Sequence, residues 1–466
     1  MAEAKNLLFV VNIQTQFKSL FPLARFLKNN SAFNPVFFLD STYHELYEAK
    51  NTCETAGFSY VEFTTEQAQK TGKTFHYNLL LLLLRVLNSL LCKLLRKKYA
   101  EFFGHLRNNI IEKKNNSSAI QNICKQQAIQ GIILSETSPT YQTLHILKAA
   151  QRLDIKTFLM PFTVANYIEF AEAIFRRLEK YEIKGFYKKL VAFLYPKWKL
   201  HYKGKHILYF HLEEILALEW LGLAPQKPWI YNGLQIDKMI FDSQYLKDYY
   251  TQEGLDSKKM EILGALYLDT FHEKLLYKEK LVTDLTETLH FKEQKPVVLC
   301  ALPPDFHANP NYQNHNEMIA DWMNLLGNQN KYNVVVSLHP RSSYEKLQYI
   351  ETENIKIFRG AIEEIVPICD IFVANVSATI RMALACKKIV LNYDIFQWNY
   401  TDYVGIDAVI TVNQTKLFHE EFAKIVHEPD YISQKTKIYS QKKDYFGVID
   451  GKSGERILNL FQQQIL

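Results

Sequence analysis

The chain of 466 residues carries 55 Lys+Arg against 49 Asp+Glu, a formal net charge of +6, with 48% hydrophobic and 22% charged residues. At roughly 150 residues per domain, this length predicts two or three domains with ample cores. The composition excludes a mainly disordered chain, and the scarcity of glycine (16) and proline (14) excludes collagen-like and linker-rich architectures.

In chain order, Leu7–Asn12 reads as a buried parallel strand, and the spacing of Phe17, Leu20, Phe21, Ala24 and Leu27 predicts a helix over 17–28. The strand-like runs Pro35–Leu39 and Ser59–Phe63 flank a helix over 42–56, and a leucine-rich helical stretch covers 79–114. The alternation resumes with strand 131–135, helix 141–153 and strand 156–160. A basic segment follows, then helix 212–221, strand 238–242, helix 245–253 and strand 260–263. After a charged stretch, 274–295, read as a polar helical linker, a second alternating region begins. Its strands are 297–301, 333–337, 355–358, 370–374 and 388–392, with helices 315–326 and 379–385. Helices over 415–426 and 452–465 end the chain. Such βαβ rhythm argues for parallel, doubly wound sheets.

The expected division is 1–265, with a basic, aromatic helical insertion at about 75–115 and 170–210, and 266–466, whose last helix can cross back. The opening MAEAKNLLFVVNIQ lacks the basic region and long apolar core of a secretion signal. The longest apolar run, Leu79–Leu84, is far shorter than the ~20 residues of a spanning helix. Cys53, Cys92, Cys124, Cys300, Cys369 and Cys386 form no CxxC pair, so a reduced, cytoplasmic protein without structural zinc is expected.

Charge concentrates in one place. Ten Lys/Arg lie between Arg176 and Lys205 against only Glu179 and Glu182, interleaved with aromatics, and the rest of the chain is slightly acidic. Basic and aromatic residues together suit an anionic membrane surface, with Arg176, Arg177, Lys188, Lys189, Lys197, Trp198 and Lys199 as the expected contacts. A nucleic-acid surface or a solvated helical face has similar composition. No nucleic-acid motif accompanies the patch, which ranks the membrane first and argues against nucleic acid as a partner.

The strongest local signal is the run Val334-Val335-Val336-Ser337-Leu338-His339-Pro340-Arg341, an apolar strand ending in His-Pro-Arg. Ligands of open α/β sheets bind outside the carboxyl ends of the strands. There His339 can donate to a phosphate oxygen and Arg341 can clamp one; a plain capped loop is the bland alternative. Downstream, Cys369–Thr379 again runs from strand through a polar turn into a helix. Ser377 is placed to cap that helix and leave its first N–H groups for an anion, with Thr379 and Arg381 adding contacts.

These two elements carry a resemblance. The second half resembles the nucleotide-binding domain of GT-B glycosyltransferases, especially those with a His-Pro and a downstream Ser/Thr motif. Bacterial sialyltransferases and capsular Kdo transferases, which use CMP-activated sugars, have this pair, and CDP-glycerol polymerases have a related one. The resemblance implies an α/β, GT-B fold of two Rossmann-like domains facing a central cleft. It implies donor contacts from His339, Pro340, Arg341, Ser377 and Thr379, and from Asp305 and His307 in the loop after 297–301. It also implies a transferase whose partners are a nucleotide-sugar and a glycan or glycolipid acceptor; with the basic aromatic segment and no metal-binding motif, the expectation is a metal-independent enzyme without cofactor, peripheral on the inner face of the cell membrane.

Departures from the family's pattern are visible. The Asp/Glu-rich base motif of sialyltransferases is missing, and the nearest substitute is Ser135-Glu136-Thr137, which offers Glu136 as the general base. Asn12 and Gln14, closing the first strand, are the acceptor-side candidates. No DxD, GxGxxG or Walker A sequence occurs, which argues against metal-dependent, NAD-linked and P-loop chemistry. Rival readings are a UDP-GlcNAc 2-epimerase, whose usual Gly-Thr-Arg-Pro-Glu start is here Asn12-Ile13-Gln14-Thr15-Gln16, a CDP-glycerol-type phosphotransferase, and a non-catalytic nucleotide-binding scaffold of a polysaccharide assembly complex.

Overall fold

A computed structural model describes residues 5–41, 46–66, 97–161, 164, 167–305, 309–339, 341–399 and 401–465. Residues 79–96 of the leucine-rich stretch, Cys92, Pro340 and His307 lie outside them. The chain divides into two compact units. One holds Met1–Phe241, Tyr249–Glu261 and Ile457–Leu466; the other holds Asp242–Asp248 and Ile262–Arg456.

The strands of the first unit are β1 (Lys5–Val11), β2 (Phe33–Asp40), β3 (Ser59–Phe63), β4 (Ile129–Leu134), β5 (Lys156–Leu159), the pair β6 (Lys199–Tyr202) and β7 (Lys205–Leu208), β8 (Lys238–Phe241) and β9 (Met260–Ile262). Seven of them form one sheet in the order β3-β2-β1-β4-β5-β8-β9, and β1, β2, β3, β4, β5 and β8 pair in parallel. Strands covered on both faces read as continuous apolar runs rather than alternating ones. Leu7 to Val11 accordingly lie at 1% exposure or less. The last helix, Ser453–Ile465, brings Phe461 within 4.7 Å of Phe158, centroid to centroid. A Cβ on Gly131 would lie 2.8 Å from Ile465 Cδ1 and 2.9 Å from Leu7 Cδ2, so β4 packs closely beneath that helix.

Inside the basic segment, β6 and β7 make an antiparallel hairpin. Its two-residue turn, Lys203-Gly204, has φ of +46° and +73°, the twist that matches paired strands. The segment also forms helices Tyr167–Phe175 and Phe186–Leu194. The whole packs on Trp198, Tyr209, Trp229, Ile215 and Leu218.

The second unit holds β10 (Val297–Leu302), β11 (Asn333–Leu338), β12 (Ile355–Phe358), β13 (Ile371–Ala374), β14 (Ile389–Tyr393) and β15 (Val409–Val412). They form a fully parallel sheet in the order β12-β11-β10-β13-β14-β15. The stretch 274–295 is no linker: helices Leu266–Leu276 and Lys278–Thr288 bury Leu268, Phe271, Val282 and Leu285 in this unit's core. Asp242–Asp248 also belongs here. Asp242 pairs with Arg381 at 3.1 Å, and Tyr245 stacks on Tyr403 and donates to the Asp402 carbonyl.

Candidate active site

Both sheets reverse their strand order beside their first strand, between β1 and β4 and between β10 and β13. At such a reversal the connecting helices leave in opposite directions and a crevice opens at the carboxyl edge.

In the first unit, Val10 of β1 aligns with Leu134 of β4. Two residues beyond each stand Asn12 and Glu136, only 1% and 7% exposed. Gln16 Oε1 accepts from the Asn12 backbone N–H (2.7 Å) and side-chain amide (3.2 Å). Tyr231 donates its hydroxyl to Glu136 Oε2 at 2.8 Å. Beside it, the Thr137 N–H donates to Asn232 Oδ1 (2.7 Å), and Asn232 Nδ2 donates to the Tyr250 hydroxyl (3.1 Å). Burial pushes the Glu136 carboxyl above its ordinary pKa, opposed by the Tyr231 hydrogen bond and the Gln16 amide. Asn12 Oδ1, Ser135 Oγ and Thr137 Oγ1 are buried without a hydrogen-bond partner among the described residues. Each such atom costs roughly 1–3 kcal/mol unless something satisfies it.

The structure therefore brings Asn12 and Glu136 together. Gln14 turns elsewhere, donating to Glu48 at 2.9 Å. Gln16, Tyr231 and Asn232 were missed by sequence reasoning. Gln16 had a signal, since it lies four residues after Asn12 across a helix start. Tyr231 lies 95 residues from Glu136 and had none.

In the second unit, the loops after β10, β11 and β13 carry the donor-side candidates. His339 is half-buried, and its Nδ1 accepts from the Arg341 N–H at 3.1 Å. That bond leaves the ring proton on Nε2. Burial, with the Arg341 charge beside it, lowers the His339 pKa, so the ring is neutral at neutral pH and presents one N–H. Arg341 and Asp305 are exposed. His315 at a helix start binds the Pro303 carbonyl just after β10 (3.0 Å).

The turn after β13 departs from expectation. Ser377 does not cap the helix. The helix spans only Ile380–Ala385, Thr379 sits at its N-cap, and no side chain caps it. Ser377 Oγ lies 2.7 Å from Thr379 Oγ1 and accepts from the Thr379 N–H at 3.3 Å, a local turn. Just before it, Val376 has φ +41°, costly for a β-branched residue. Its N–H is held by Asn392 Oδ1 at 2.8 Å. Arg381, expected near the ligand, is buried and committed to Asp242, which also accepts from the Tyr267 hydroxyl at 2.5 Å.

Two of the expected membrane contacts are corrected. Trp198 is 0% exposed, and its Nε1 donates to Glu219 at 2.6 Å. Lys188 points inward: its ammonium donates to the carbonyls of Lys180 (2.5 Å) and Glu182 (3.0 Å), and burial lowers its pKa. Lys197 pairs with Glu219 at 2.9 Å. Arg176, Arg177, Lys189 and Lys199 are exposed. Among the described residues no helix is long and apolar enough to cross a membrane, and no three His, Cys, Asp or Glu side chains gather as a metal site requires.

No protein-family model matches the chain, and no curated protein matches it in sequence. Solved structures do match in shape. The calicheamicin glycosyltransferase aligns with a TM-score of 0.56 at 11% identity, over 100% of this chain and 98% of that one. The glycosyltransferase of kitacinnamycin aligns at 0.54 and 11% identity, over 100% of both chains. The UDP-GlcNAc 2-epimerase from Neisseria meningitidis, bound to UDP-GlcNAc, aligns at 0.51 and 12% identity, over 98% of this chain and 100% of that one. At such identities the likeness is one of fold: the chain has the α/β, GT-B fold of two Rossmann-like domains.

Proposed function

We propose that this protein is a glycosyltransferase that moves a sugar from a nucleotide-sugar, CMP-activated by preference, to a cell-surface glycan or lipid-linked acceptor. The observation that carries the reading is Glu136, a buried carboxylate at the strand-order reversal of the first sheet, held by Tyr231 and flanked in sequence by Ser135 and Thr137, whose hydroxyls have no partner among the described residues. A carboxyl whose pKa is raised by burial is a stronger base once ionised, and thus suited to accept a hydroxyl proton. Asn12 Oδ1, Ser135 Oγ and Thr137 Oγ1 are groups that sugar hydroxyls would satisfy.

In this reading, the acceptor oxygen forms a bond to the anomeric carbon while the bond from that carbon to the phosphate oxygen breaks. The acceptor proton passes to Glu136, and the bonding pair leaves with the nucleotide. His339 donates its Nε2–H to the departing phosphate, and Arg341 offers a guanidinium to it. Ser377 and Thr379, already linked to each other, supply hydroxyls to phosphate or nucleotide oxygens. Asp305 flanks the same edge. Charge on the leaving group is thus met by side chains, without a metal. The CMP preference rests on the pairing of His339 with Ser377 and Thr379.

A UDP-sugar reading, including an epimerase, is favoured by one observation, the fold shared with an epimerase that binds UDP-GlcNAc. Thermal shifts with CMP, CDP, UDP, GDP and TDP decide between them, since a ligand bound only by the folded state raises the melting temperature. The proposal expects CMP to stabilise the wild type and His339→Ala to lose most of that shift. A UDP-selective shift would contradict the CMP assignment, and no shift with any nucleotide would contradict the donor site.

A further inference from the structure

The helix Phe186–Leu194, sequence FYKKLVAFL, has two unlike sides. Phe186 is 72% exposed, Tyr187 57%, Leu190 41%, Phe193 79% and Leu194 55%. At about 100° per residue these five fall within an arc of about 120°. Val191 and Ala192 lie on the opposite side, buried against the Trp198 and Tyr209 cluster, with Lys188 between them. Five of the thirteen large apolar side chains that stand exposed among the described residues thus occupy one face of a nine-residue helix. Scattered exposed hydrophobics are ordinary, whereas a contiguous apolar patch marks a surface with a partner.

We propose that this face is a docking surface for an anionic lipid bilayer, with Phe186 and Phe193 as the residues that enter it. Charge complementarity selects the partner. Arg176, Arg177, Lys180, Lys184, Lys189 and Lys199 are exposed on the same insertion, and Lys189 borders the apolar arc. Anionic headgroups meet these cations while the hydrocarbon boundary meets the rings. A second copy related by twofold symmetry would set this positive set against itself. Single-stranded nucleic acid would stack on the aromatics but has nothing for Leu190 and Leu194.

The surface is built before any partner arrives. Gly185, at φ +79°, turns the chain into the helix. The Lys188 ammonium, bonded to two carbonyls, and the fully buried Trp198 fix it from below. The insertion also borders the proposed base: Phe170 of helix Tyr167–Phe175 stacks on Tyr231 at 5.8 Å, and Tyr231 holds Glu136. Docking would therefore place a lipid-linked acceptor beside the unit that carries the base. This last link rests on the proposed function, whereas the docking itself does not.

The test is co-sedimentation of the full chain with phosphatidylglycerol–phosphatidylcholine vesicles and with phosphatidylcholine alone. The wild type is expected to bind the anionic vesicles at least tenfold more tightly. Phe186→Ser/Phe193→Ser and, separately, Arg176→Glu/Arg177→Glu/Lys189→Glu should each lose at least tenfold, with wild-type melting temperatures. Phe193→Trp should add fluorescence that brominated lipid quenches. Absent or charge-indifferent binding by the wild type would overturn the proposal, as would full binding by the double serine variant. A wild-type dimer that ignores vesicles and that the serine variant dissociates would make the face a self-interface and also overturn it. Nucleotide thermal shifts on the same variants, expected to match wild type, keep a failure of docking distinct from a failure of the donor site.

Discussion

The carboxyl edges of the two sheets share a strand order yet differ in character. At the first, Asn12, Glu136 and Thr137 are buried and partly unsatisfied, with Tyr231 and Asn232 closing over them. At the second, His339 is half-buried, Arg341 and Asp305 face solvent, and the backbone is strained at Val376. Both edges have the same strand-order reversal, but burial decides what each can do. A desolvated carboxylate handles protons, while exposed cations and N–H groups hold a charged ligand that arrives from water.

The largest expected effect breaks the first edge. Glu136→Gln should lower transfer by about 10²–10⁴-fold while leaving nucleotide thermal shifts unchanged; undiminished turnover would remove Glu136 from the chemistry. The same variant should gain stability at neutral pH. Because the folded-state pKa of Glu136 is raised, its contribution is fully present below the unfolded value of about 4.3 and is lost as pH rises through the folded pKa. Melting curves of the two proteins should therefore coincide near pH 4 and diverge in favour of Gln by pH 7–8.

Within the second unit, Arg381→Ala should cost about 3–5 kcal/mol in denaturant unfolding, because it leaves Asp242 buried without its partner. A loss under 1 kcal/mol would show that Tyr267 and Ser243 suffice. Smallest of all, Tyr231→Phe removes a bond that lowers the Glu136 pKa. It should move the acid limb of the pH–rate profile upward and cost roughly threefold to tenfold at neutral pH, on the scale of one hydrogen bond. An unmoved profile would separate Tyr231 from the base.

Much of the fold was legible because parallel strands buried on both sides announce themselves as apolar runs, as in Leu7–Val11 and Val334–Val336. Several elements escaped. The hairpin at Lys203-Gly204 hid within a charge-rich segment, although the Lys-Gly turn was its signal. The strand Val409–Val412 was too short to stand out. The stretch 274–295 reads as a polar helical linker because the buried face of its helices is narrow. At the sites, Glu136, Asn12 and His339 were readable as strand ends. Trp198 and Lys188 were misassigned because composition marks a surface segment without saying which side chains turn inward. Phe186 and Phe193 stand in the sequence among the interleaved aromatics, but that they share one exposed face is visible only in the helix.

The most direct measurement of the central claim is nucleotide release from a panel of CMP-, UDP-, GDP- and TDP-sugars, followed by mass spectrometry for the wild type and Glu136→Gln. The account predicts that the wild type releases CMP from a CMP-sugar and that the variant binds CMP equally but releases almost none. Nucleotide binding by both proteins with no release from any sugar would contradict it, and would leave a nucleotide-binding scaffold in place of a transferase.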